Sequence, residues 1–201
     1  MELALQSSLF EHSERRHLGN GAWIDFRSGW LDDADSLFEE LRNDIPWRAE
    51  RRQMYDRVLD VPRLVSFVDF GNLVDEPAPH PRLKQIRRRL NDAYAGELGE
   101  QFTTAGLCLY RDNNDSVAWH GDTVGRSSTE DTMVAIVSLG AARVFALRPR
   151  GGGKSLRLQH RHGDLLVMGG SCQRTWEHAI PKTSKPTGPR ISIQFRPHDV
   201  R

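Results

Sequence analysis

The sequence predicts a mainly β protein of the α+β kind: a double-sheet jelly roll with helices gathered at its N-terminal end. Three observations lead there. From residue 100 onward, short runs of β-branched and apolar residues follow one another, separated by turn signals and without helical periodicity. Before residue 100, apolar residues recur at helical spacing. The 201 residues, 38% hydrophobic and 27% charged, have a globular composition, long for one small domain and short for two large ones. One domain is therefore expected, with residues 1–99 packed on a β core of residues 100–201.

In chain order, Asp32 and Asp33 can cap a helix whose apolar positions are Ala34, Leu37, Phe38, Leu41 and Ile45, the spacing of one buried stripe. A basic, aromatic stretch follows from Pro46 to Gly71, with strand-like pieces around 64–70. A second helix starts near His80-Pro81, because proline suits the first helical position. Leu83, Ile86, Leu90 and Tyr94 share its inner face, and Arg82, Lys84, Arg87, Arg88 and Arg89 crowd the rest. Strands are expected near 103–110, 117–122, 132–138, 142–148, 154–160, 163–168, 175–179 and 190–196. Asn113-Asn114-Asp115, Gly151-Gly152-Gly153 and His162-Gly163-Asp164 supply turns.

Several classes are excluded. No apolar run approaches the ~20 residues that span a bilayer, so no membrane segment is expected. The opening residues lack a basic n-region and an apolar core, so a secretory signal is not expected. Cys108 and Cys172 form no CxxC pair, which fits a reducing, cytoplasmic setting. The net charge of +1 hides segregation: residues 1–41 carry −6, 42–90 carry +4, 91–142 carry −6 and 143–201 carry +9. Such an arrangement suits a polyanion beside a cation site, or equally an uneven solvated surface.

His120-Gly121-Asp122 is the first chemical candidate. Positions i and i+2 of a strand share a face, so an imidazole and a carboxylate would project together. With one distant histidine, His178, they would make a 2-His-1-carboxylate triad, which leaves positions open on Fe(II). A His-x-Asp is also a common surface pair, and the chain has a second copy, His162-Gly163-Asp164, that reads as a hairpin turn. His12, His17, His80, His160 and His198 read as surface residues. In the last strand Arg190, Ser192, Gln194 and Arg196 share one face, and Ile191, Ile193 and Phe195 the other. The polar face is either a solvent-facing edge or an anion pocket, since an arginine fork matches a carboxylate.

The order His120-x-Asp122, His178, Arg190-x5-Arg196 resembles the AlkB family of Fe(II)- and 2-oxoglutarate-dependent dioxygenases. Val137-Ser138-Leu139-Gly140, the run His162–Met168 and the closing Arg-x-Ser-Ile-x-Phe-Arg match it too. The likeness is strong over roughly residues 100–196. It is weaker at Pro46-Trp47 and Val61-Pro62-Arg63-Leu64, which resemble the family's nucleotide-recognition region. The resemblance implies a double-stranded β-helix, with His120, Asp122 and His178 as iron ligands. It implies Arg190 on the distal carboxylate of 2-oxoglutarate, with Tyr110, Ser192 and Arg196 helping to hold that cosubstrate. With O2, the implied chemistry is hydroxylation of an N-methyl group on a damaged base in DNA or RNA. The product then loses formaldehyde, and the protein acts as a monomer. The sequence departs from the family pattern at Cys108 and Ser192, where many members have Asn. It departs again at Val124, usually acidic, and in a short segment before the second helix. Val124 and that segment favour the alternative of the same chemistry on a protein or small molecule.

A base must leave the stack to reach buried iron. Phe67 and Phe70 are the stacking candidates, with His120 as the opposite wall; both also suit a strand's core. Arg48, Arg51, Arg52, Arg57 and Arg63 could grip phosphates, with Met54 or Tyr55 as a wedge, or could simply line a solvated face.

Overall fold

The structure, a computed structural model, describes residues 13–54, 57–71 and 80–201. Twelve strands form among them: β1 (Ser13–Gly19), β2 (Ala22–Arg27), β3 (Arg48–Met54), β4 (Arg57–Asp69), β5 (Thr104–Tyr110), β6 (Val117–His120), β7 (Val134–Gly140), β8 (Arg143–Pro149), β9 (Leu156–His160), β10 (Leu165–Gly169), β11 (Trp176–Ile180) and β12 (Arg190–Arg196). The helices are α1 (Ala34–Asp44), α2 (Pro81–Leu98) and the single turn α3 (Cys172–Thr175).

The strands from β5 to β12 divide into two facing sets of four. One is β10-β7-β12-β5 and the other β6-β11-β8-β9, all paired antiparallel. This is the double-stranded β-helix, with each expected strand within a few residues of its observed place. The first set is widened at both edges, by β2 and β1 beside β10 and by β4 and β3 beside β5, into an eight-stranded sheet.

Both helices lie against the outer face of the large sheet. Leu37 and Leu41 of α1 and Leu83, Ile86, Leu90 and Tyr94 of α2 join Ala105, Leu107, Val137, Leu139, Ile191, Ile193 and Phe195 in one core. Burying each leucine contributes roughly 1.5–3 kcal/mol, which is what fixes the helices to the sheet. The Nδ1 of His80 accepts the Arg82 N–H to cap α2, and Pro81 follows it. Gly99, at φ 80°, closes the helix in the left-handed region that glycine adopts without strain. Asp33 stands at the α1 N-cap but makes no side-chain cap; its carboxylate pairs with Arg82 instead.

Two hairpins were not read from the sequence. β1 and β2 are joined through Gly19-Asn20-Gly21, all at positive φ, so the turn signal was present. In the basic stretch, Arg48–Met54 and Arg57–Asp69 pair antiparallel as β3 and β4. A second core lies between the sheets and includes Tyr110, Ile136, Phe145, Leu147, Leu166, Met168 and Ile180. No helix among the described residues is long and apolar enough to cross a membrane.

Candidate active site

β6 and β11 pair with His120 directly opposite His178, so both imidazoles point between the sheets. Their ring centroids are 4.2 Å apart. Asp122 is not on the strand as the alternation reading supposed. β6 ends at His120, and a tight turn (Thr123 N–H to the Gly121 carbonyl, 2.8 Å) carries the carboxylate to the histidines. One ligand atom from each of His120, Asp122 and His178 lies within 4.8 Å of the others, the donor set that suits Fe(II). Gly121 is required by space: a Cβ there would stand 2.4 Å from the Gln173 carbonyl oxygen and 3.2 Å from that of Trp176.

The surroundings orient each donor. The Nδ1 of His120 is 2.8 Å from the Ala118 carbonyl, so Nδ1 carries the proton and Nε2 is left for a metal. Asp122 Oδ2 accepts from Arg196 Nε at 2.8 Å, and Oδ1 faces His120 Nε2 at 3.8 Å, so one oxygen is held and one offered. Gln173 Oε1 accepts the Asp122 N–H at 3.0 Å. Burial alone would raise the Asp122 carboxyl, but Arg196, His178 and His120 outweigh it and hold it below the usual carboxylate range. Burial, with His120 adding to it, pushes His178 down to about 3, so its imidazole is neutral and can ligate. Phe145 stacks on His178 with centroids 5.4 Å apart.

The triad opens on a cavity of about 410 Å³, counting its open mouth, lined among others by Arg63, Cys108, Tyr110, Ser192, Gln194 and Arg196. The polar face of β12 therefore points inward, toward the site, and Ile191, Ile193 and Phe195 point to the helices. Gly106 lets that face lie flat, since a Cβ there would stand 2.9 Å from Arg196 and 3.1 Å from Gln194. Arg190 is fully buried behind Tyr110, 5.2 Å from its ring. Nε donates to Ser138 Oγ at 2.9 Å, and Nη1 has no partner. No carboxylate pairs with it among the described residues, so a buried cation is left uncompensated, which is costly unless an anion completes it. Burial pushes Tyr110 up to about 12, so its hydroxyl stays a proton donor. The partnerless Nη1 fits a carboxylate, and the His-Asp-His donor set fits a divalent metal.

The remaining candidates separate. Phe67 is 50% exposed, and its pairing partner Gly106 puts it on the cavity face of the sheet. Phe70 is buried, stacked on Phe195 with Arg87 over its ring, and this burial does not suit a stacking platform. Arg63 lines the cavity and donates to the Ser116 carbonyl, so it is no phosphate grip. Arg51 is exposed on β3, Arg52 and Met54 belong to the same strand, and Tyr55 lies outside the described residues. Val124 is 62% exposed beside the Asp122 turn. The second motif is a turn: Asp164 accepts the backbone N–H groups of Arg161 and Gly29, and His162 Nδ1 accepts that of Gly140. His160 is not on the surface but fully buried. The alternation Leu156, Leu158, His160 on one face of β9 carried that signal. Gln173 and Phe145 were missed, and nothing in their local sequence marks them.

A model of the 2OG-Fe(II) oxygenase superfamily matches residues 32–196, and the chain belongs to that superfamily, whose cofactors are Fe(II), 2-oxoglutarate and O2. The chain is 31% identical to the alpha-ketoglutarate-dependent dioxygenase alkB homolog 3 of Bos taurus over 83% of its own length and 62% of that protein. It is 29% identical to the DNA oxidative demethylase ALKBH2 of Homo sapiens over 90% of its length and 78% of that protein. Within the superfamily it is a member of the AlkB family. It spans a little over three fifths of the length of the alkB homolog 3 relatives. The fold is also that of the structure of OsALKBH1, with a TM-score of 0.63 at 14% identity, covering 92% of this chain and all of the other.

Proposed function

We propose that the chain is an oxidative dealkylase of nucleobases in DNA or RNA. The observation that carries the reading is a His-Asp-His donor set opening on a cavity, with an uncompensated buried arginine behind Tyr110, one of the cavity's lining residues. The relatives named as an alkB homolog and as a DNA oxidative demethylase support the substrate class.

In this reading His120, Asp122 and His178 hold the metal, and Arg196 keeps the Asp122 carboxylate ionised and singly engaged. Arg190 takes the distal carboxylate of the keto acid through its free Nη1, and Tyr110 donates a hydrogen bond beside it. Ser192 and Gln194 fill the floor between them. When bound, iron with 2-oxoglutarate and O2 supplies an oxidant able to hydroxylate an N-alkyl carbon. The chain's own part is to exclude water, orient the keto acid and present the base. Phe67 stacks on the extruded base opposite His120, and Arg51 and Arg52 on the β3–β4 hairpin engage phosphates. The free thiols of Cys108 and Cys172 fit an intracellular setting.

The test is succinate release from 2-oxoglutarate with and without methylated oligonucleotides, single-stranded and duplex. Methylated strands should accelerate turnover and lose their methyl groups as formaldehyde. Turnover that no oligonucleotide changes would move the substrate to a protein or small molecule.

A further inference from the structure

The buried His160 has no part in the metal site, yet it touches the cosubstrate arginine. Arg190 Nη2 lies 3.4 Å from His160 Nδ1. A guanidinium has no acceptor, so Nδ1 must be the unprotonated nitrogen. The ring proton then sits on Nε2, which is 3.3 Å from the Asp164 carbonyl and donates to it. That same carbonyl accepts the Ser138 N–H at 3.0 Å. Ser138 Oγ in turn accepts from Arg190 Nε. Thus the carbonyl that closes the second His-Gly-Asp turn fixes two side chains, and both of these accept from Arg190. With Nε and Nη2 engaged this way, Nη1 is the nitrogen left over, and it is the one without a partner.

We propose that His160 is a positioning residue for Arg190: its neutral Nδ1, set by the Asp164 carbonyl, holds the guanidinium so that Nη1 faces the distal carboxylate of the keto acid. This rests on the reading of Arg190 given above. The environment of the ring supports it. His160 is fully buried between the rings of Phe26 and Phe145, at centroid distances of 6.2 and 6.0 Å. Burial first, and Arg190 second, push His160 down to about 3, so it stays a hydrogen-bond acceptor at any physiological pH. A leucine of similar size would fill the space and leave Nη2 without an acceptor.

The experiment measures binding of N-oxalylglycine, an unreactive dicarboxylate analogue, to the Mn(II)-loaded protein by calorimetry. 2-Oxobutyrate, which lacks the distal carboxylate, is the comparison ligand. Three replacements separate chemistry from packing. His160→Asn keeps a polar atom near the Nδ1 position, His160→Gln keeps one near Nε2, and His160→Leu keeps neither. His160→Leu and His160→Gln should weaken N-oxalylglycine about tenfold, ~1.4 kcal/mol, and leave 2-oxobutyrate unchanged. His160→Asn should restore most of the affinity. Melting temperature and Mn(II) affinity are read on every variant, so a variant that fails to fold is recognised and the comparison rests on the others. Equal losses for both ligands, or unchanged N-oxalylglycine binding in a folded His160→Leu, would overturn the proposal. Arg190→Met tests the reading beneath it: if this change leaves N-oxalylglycine binding intact, Arg190 is not the carboxylate partner and the fault lies there rather than with His160.

Discussion

A single methyl group at residue 121 should separate the metal ligands. In Gly121→Ala the new Cβ would lie 2.4 Å from the Gln173 carbonyl oxygen, 3.2 Å from the Trp176 carbonyl oxygen and 2.8 Å from Arg150 Nη2. The exposed Arg150 can swing away. The carbonyls cannot, because both belong to the backbone running from α3 into β11. Close carbon–oxygen contacts settle near 3.3–3.6 Å, so the turn and the α3 backbone must part by roughly 1 Å. Either direction of movement damages the site. If the turn moves, Asp122 leaves the histidines; if α3 moves, Gln173 releases the Asp122 N–H. Misplacement on this scale costs on the order of a hundredfold at a reacting centre. Overpacking itself costs about 1–3 kcal/mol, or roughly 2–12 °C of melting temperature in a chain of this size. Co(II) titration followed by visible absorbance should show the dissociation constant rising about tenfold to a hundredfold. Native Co(II) affinity with a native melting temperature would refute the argument that glycine is there for space.

Arg190→Lys should weaken the keto acid by about one to two orders of magnitude, because one ammonium cannot reproduce the fork, while Mn(II) affinity stays native; calorimetry with each ligand reads both. Phe67→Ala should cost about 1–3 kcal/mol in binding methylated single strands and leave substrate-free 2-oxoglutarate turnover unchanged, the first read by fluorescence anisotropy and the second by succinate release. Replacing Arg51 and Arg52 together with alanine should flatten the log–log salt dependence of duplex binding by up to about two units. Gly96→Ala should stabilise the chain by about 0.5–1 kcal/mol in urea unfolding, since Gly96 lies inside α2 with nothing within 4 Å of its missing Cβ.

The β core was legible because each of its strands carries its own signal. Val134–Val137 is buried on both faces and reads as a continuous apolar run, and Arg190–Arg196 alternates because one face meets helices and the other a polar cavity. Helix α2 was legible to the residue on its inner face, where Leu83, Ile86, Leu90 and Tyr94 are all buried. The β1 hairpin was not, because its pattern is mixed: Arg15 packs over the Trp23 ring, and β2 buries Asp25 among apolar neighbours. That carboxylate is tolerated there because Arg27 donates to it at 3.3 Å and the Tyr94 hydroxyl at 2.7 Å, the second a partner 69 residues away that no local window contains.

The two His-Gly-Asp copies show why a motif alone does not decide a site. In both, glycine lets a chain segment pass close behind it, the Gln173 carbonyl at Gly121 and the Leu31 carbonyl at Gly163. What differs is the direction of the flanking strands. The first copy follows β6, whose neighbour β11 sets a histidine opposite His120, so the turn completes a cluster of donors. The second copy joins β9 to β10, which lie in different sheets, and its carboxylate is consumed by the N–H groups of Gly29 and Arg161. A carboxylate that accepts two backbone donors has little left for a metal. The same turn is nonetheless tied to the buried Arg190 through its backbone, since the Asp164 carbonyl holds His160 and Ser138, and these hold Arg190. One motif thus brings two candidate metal donors together with its side chains, and the other supports the buried Arg190 with its main chain. Only strand pairing, which lies beyond the reach of any short window of sequence, decides which does which.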